Sequence, residues 1–195
     1  MNASREEAAR SLDDVHMIAE RTRKAIAYAG ADIVFVIWGI IWFIGYLSAQ
    51  FFPLQAHWVW MVLVIGGMIA SALTFRSRSP VVSPLGARLG AFWLLLCLFV
   101  GLWSWLLSPF LSVPAQADAN DFWMHMHAIT ATIVMFAYVV MGLWLRSFML
   151  WLGLGISALT VLGLLFLQPL FWIWMAVIGG GSLVVTGLIV RRKWQ

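Results

Sequence analysis

The chain has 195 residues, of which 63% are hydrophobic and only 10% charged, with a formal net charge of +4 and a mean hydropathy of +0.94. Soluble domains carry about 25% charged residues, so residues 31–195 hold no soluble enzyme or cytosolic binding domain. The surplus of Lys and Arg is accounted for by membrane topology and by attraction to anionic lipid heads, and no nucleic-acid partner is expected.

Residues 1–24 are charged and not apolar, so no cleavable signal peptide is expected. Ser4 with Glu7 resembles a capping box, and Ala8, Leu12, Val15, Ala19, Thr22, Ile26 and Ala29 then recur at spacings of four and three. This predicts an amphipathic cytoplasmic helix whose stripe, residues 5–29, can lie on the bilayer, pair with a second copy or dock on a protein partner. Gly30 permits a break. Asp32 is placed to cap the first membrane helix at the inner interface by accepting from orphan backbone N–H groups.

Residues 31–195 divide into six apolar runs, at about 33–52, 57–75, 87–108, 122–145, 148–167 and 170–190. The expected fold is an all-α integral membrane protein of six transmembrane helices in three hairpins. Lys and Arg gather before the first run, at Arg76, Arg78 and Arg88, at Arg146, and at Arg191, Arg192 and Lys193. The alternate connections carry Pro53, Pro109 with Pro114, and Pro169, without Lys or Arg. By the positive-inside rule both termini lie in the cytoplasm, as in a multi-pass protein of a bacterial inner (plasma) membrane. Cys97 lies within an apolar run, where a thiol is usually inert.

The 13 tryptophans cluster toward span ends. Trp58, Trp60, Trp103, Trp105, Trp123, Trp172 and Trp174 fall on the outer side, and Trp144, Trp151 and Trp194 on the inner. This predicts an interfacial aromatic belt in preference to a ligand cage. Two hairpins also resemble each other. Trp58, Trp60, Met61, Gly66, Gly67 and Arg78 align with Trp172, Trp174, Met175, Gly180, Gly181 and Arg192, and Gly45 and Gln50 match Gly163 and Gln168 after a small shift. Both copies start inside, so the repeat is parallel.

Gly66, Gly67, Gly179, Gly180 and Gly181 are expected to let helices approach closely. Gln50, Ser104, Thr130, Thr132, Ser157, Thr160 and Gln168 are the polar residues left for interhelical bonds, and Gln50, Thr130, Thr132, Ser157 and Gln168 are the candidates for a pore. Met124, His125, Met126 and His127, with His57 on the same side, offer soft and imidazole ligands for a metal, or protonatable groups for an acid-sensing outer face. Against a shared ion, His125 and His127 stand about 200° apart on a helix. No HExxH, GxSxG or phosphate loop occurs, so no enzyme activity and no cofactor are expected.

Three functions follow as expectations. The first is a non-enzymatic sensor, regulator or accessory module acting through partners or a second copy of itself. The second is a small-solute channel or facilitator built on the parallel repeat. The third is an outward-facing metal or pH sensor.

Overall fold

The structure, a computed structural model, describes residues 17, 30–78, 84–107, 119–145 and 148–194. Apart from Met17, the amphipathic segment 5–29 lies outside the described residues, as do the connections 79–83, 108–118 and 146–147. The described chain is helical, as a lipid-embedded backbone must be when no water can satisfy its N–H and C=O groups.

The elements are α1 (Asp32–Phe51), α2 (Pro53–Arg78), α3 (Pro84–Leu107), α4 (Ala119–Leu145) and α5 (Met149–Phe166). A 3₁₀ turn (Gln168–Leu170), α6 (Phe171–Met175), a π-helical turn (Ala176–Gly180) and α7 (Gly181–Trp194) complete the chain. Five stretches are long and apolar enough to cross a membrane: α1, α2, Asn120–Trp144, α5 and Gln168–Arg192. They coincide with five of the six predicted runs to within a few residues. The remaining run falls on α3, where the described apolar stretch, Gly90–Trp103, is shorter than a full span.

Helix ends follow from local chemistry. Pro53 and Pro84 open α2 and α3, the position where a missing N–H costs nothing and a fixed φ is already helical. Between α1 and α2 the reversal is tight: Phe52 N–H donates to Ser48 O at 2.8 Å, and Ala56 N–H to Phe52 O at 3.0 Å. At the end of α5, Leu167 N–H donates to Gly163 O at 2.9 Å. At Gly30, φ is +101°, and a Cβ there would meet Thr74 Cγ2 at 2.8 Å, so glycine is required twice over.

The bundle is organised around α1, half of whose span is buried, whereas 6% of the α2 span is buried. α1 packs on α2, α6, the π turn and α7, while α4 and α5 pack along each other. The α1–α7 seam brings backbone against backbone. A Cβ on Gly39 would lie 2.8 Å from Gly180 O, on Gly180 2.7 Å from Phe43 N, and on Gly187 2.6 Å from Asp32 O. α3 reaches the bundle through Trp93, whose ring centroid is 5.1 Å from that of Tyr138 on α4.

Asp32 does not act as the cap the sequence suggests. Ala31 holds the N-cap position without a side-chain cap bond. The Asp32 carboxylate is buried, and its Oδ1 accepts from Arg78 Nη1 at 3.4 Å. A charged partner on α2 satisfies a buried carboxylate better than neutral N–H groups one turn away, and the pair joins the start of α1 to the end of α2.

Candidate functional site

At the other end of α1, Trp42, Tyr46 and Gln50 recur every fourth residue and therefore share one face. Tyr46 is only 2% exposed. Trp42 meets it edge-on, with centroids 5.7 Å apart at 89°. From the second turn of α2 comes Trp60, whose ring lies against the bare backbone of Gly45 and 5.1 Å from the Tyr46 ring. α6 contributes Trp172, 6.2 Å from Tyr46 and nearly parallel to it at 29°. These are the offset and edge-to-face geometries that the aromatic quadrupole favours.

His127 of α4 stands among these rings. Its centroid is 5.8 Å from Tyr46, 5.4 Å from Trp60 and 5.2 Å from Trp172. Four helices therefore each supply one ring to a single box. The box is anchored to the start of α4 by Trp172 Nε1, which donates to Asn120 Oδ1 at 3.0 Å. Asn120 Nδ2 in turn reaches Met124 Sδ at 3.9 Å.

Three polar atoms on these elements are unsatisfied, one of them Ser71 Oγ farther along α2. Trp60 Nε1 and Gln50 Oε1 are buried without a hydrogen-bond partner among the described residues. Such atoms are uncommon, because each carries an uncompensated desolvation cost. The contrast with Trp174, which aligns with Trp60, is informative. Trp174 lies against Gly163 as Trp60 lies against Gly45, but Trp174 Nε1 donates to Leu159 O at 2.8 Å.

The other candidate ligands are dispersed. His57 is exposed, its ring 5.8 Å from Trp58. His125 is exposed too, with Nδ1 2.8 Å from Asp121 O and 3.6 Å from Asp121 Oδ1. Met124 is buried and Met126 partly buried. Among the described residues, no group of three or more His, Cys, Asp or Glu is placed to hold a metal. The outward turn of His125 and inward turn of His127 follow from their two-residue spacing.

The candidate pore residues are spread over four elements. Gln168 is exposed in the 3₁₀ turn, while Gln50, Thr130 and Ser157 are partly buried on three different helices. Thr132 Oγ1 donates back to Ala128 O at 3.0 Å and Ile129 O at 2.8 Å. Of the glycines, Gly67 packs against Ile41, Gly179 against the Trp42 ring and Gly180 against the α1 backbone, whereas Gly66 and Gly181 face open space.

The box could be glimpsed in the sequence only through the Trp42, Tyr46, Gln50 spacing, since its rings come from positions up to 126 residues apart in number, from Tyr46 to Trp172. Trp60, Trp172 and Trp174, expected in the belt, turn inward. Trp58, Trp103, Trp123, Trp144 and Trp151 are exposed. Chemically the box sets a partly buried imidazole against three electron-rich rings that belong to other helices. Comparisons with protein-family models, curated proteins and solved structures find no match for this chain.

Proposed function

We propose that this chain is a six-span inner-membrane protein with both termini in the cytoplasm, acting as a non-enzymatic sensor or regulator through partners. The supporting observation is His127, whose imidazole is packed against Tyr46, Trp60 and Trp172 of three other helices. A change in its protonation or hydrogen bonding acts on α1, α2, α4 and α6 together, which a signal needs if it is to bias the packing of the whole bundle. Positive residues gather at the opposite end, at Arg76, Arg78, Arg191 and Arg192, so the box belongs to the outer half and the N-terminal stripe to the inner side.

The test is a fluorescence titration of the purified protein between pH 7 and pH 3. A reversible change in tryptophan emission is expected in the wild type and in the His57→Ala, His125→Ala double variant. It should be lost in His127→Phe, which retains a ring in the box. A wild type with no transition, or a transition that persists in His127→Phe, would overturn the assignment. The partner half is tested by deleting residues 1–24: membrane insertion should survive and assembly with a partner or second copy should not.

A further inference from the structure

Between the start of α5 and the last helical stretch runs an apolar groove of about 640 Å³. Phe148, Trp151 and Leu152 form one wall, and Val177, Val185 and Ile189 line the other. Gly181 lies in its floor, with nothing within 4 Å of where a Cβ would stand. Ser182 borders the groove but turns its hydroxyl to Ile178 O on its own helix. Thr186 also lines the groove but is buried, so the groove suits hydrocarbon and offers little to a polar ligand.

Its charged end selects among hydrocarbons. From Gly181 to Ile189 the groove extends about 12 Å along α7, at 1.5 Å per residue. Arg192 follows one turn later, three residues beyond Ile189 and seven beyond Val185, so it continues the groove-lining stripe. It is exposed and has no ion-pair partner among the described residues. Arg191 is also exposed but lies about 100° around the helix from Arg192. The exposed Trp151 lies at the same end of the groove, since α5 begins where α7 finishes, and indoles favour the headgroup layer.

We infer that this groove is a binding site for one anionic phospholipid, with an acyl chain against Gly181 and Val185 and the phosphate at Arg192. Basic residues at the mouth of an interhelical groove are a recurrent means of holding anionic headgroups. The groove lies away from the His127 box, so the site stands or falls independently of the sensor assignment.

Native mass spectrometry of the full chain, in detergent micelles containing equal amounts of dioleoylphosphatidylglycerol and dioleoylphosphatidylcholine, tests it. One phosphatidylglycerol per chain should be retained in preference to phosphatidylcholine. Arg192→Gln should reduce that preference about fivefold, the worth of one basic residue at an anionic surface. Arg192→Lys should restore it, Arg191→Gln should leave it in place, and Gly181→Leu should displace both lipids by filling the groove. Equal retention of the two lipids by the wild type, or an unchanged preference in Arg192→Gln, would overturn the site. So would a lipid-free dimer that Gly181→Leu dissociates, which would give the groove to a second copy of the chain.

Discussion

Trp60 and Trp174 make the same packing contact and differ by one hydrogen bond, so they isolate its worth. Both rings cover a glycine, Gly45 and Gly163, but only Trp174 has an acceptor, at Leu159 O. Trp174→Phe should therefore destabilise more than Trp60→Phe, by about 1 kcal/mol, because only the former gives up a made hydrogen bond, Leu159 O keeping its own helical one. Denaturation in mixed micelles measures the difference, and equal losses would mean that Trp60 Nε1 is bonded in solution. Glycines allow a second comparison. A Cβ at Gly180 would press on the Phe43 backbone at 2.7 Å, which cannot rotate aside. Gly180→Ala should cost about 1–3 kcal/mol by overpacking. Gly66→Ala, in open space, should leave stability unchanged or slightly improved. The two glycines align in the repeat, yet only the neighbouring helix decides which is indispensable.

Among the elements, α1 and α2 are joined at both ends, by the tight turn at Phe52 and by Asp32 with Arg78. Asp32 is buried, whereas the Arg78 side chain is 38% exposed, so solvent weakens the pair. Removing the arginine strands a buried carboxylate; removing both charges does not. Arg78→Met should therefore lower stability by about 1–2 kcal/mol, and adding Asp32→Asn should recover part of that loss. An additive double-mutant cycle would show the two to be independent. The sequence placed Asp32 at the helix start from local rules alone. Its partner, 46 residues away, could not be found that way, and a cap was the natural expectation. The limits of α1, α2, α4 and α5 were legible for the opposite reason: apolar length is set by bilayer thickness and needs no knowledge of neighbours. Similarly, the spacing of His125 and His127 separated their directions, but enclosure of His127 depends on three other helices.

For the whole molecule, the decisive quantity is the number of crossings. Five stretches have the length and apolarity to span, and α3 carries a shorter described apolar stretch within Pro84–Leu107. Arg76, Arg78 and Arg88 flank the connection between α2 and α3, while Pro109 and Pro114 follow α3 with no basic residue before α4. Six passes require the two ends of α3 on opposite sides, which the charge bias favours, and an exposed apolar surface at Leu95, Leu98, Phe99 and Leu102 suits lipid on its flank. If α3 crosses, six passes return the C-terminus to the side of the N-terminus. If it did not, five passes would put the termini on opposite sides and the start of α4 opposite the end of α1, away from the Tyr46 and Trp60 rings that His127 meets. In a Cys97→Ser background, Ser4→Cys and Gln195→Cys should each resist a membrane-impermeant maleimide in intact cells and react only after permeabilisation. Labelling of one but not the other in intact cells would reduce the passes to an odd number. That outcome would also put His127 at the opposite end of the bundle from Tyr46 and Trp60, so it would overturn the box together with the sixth pass.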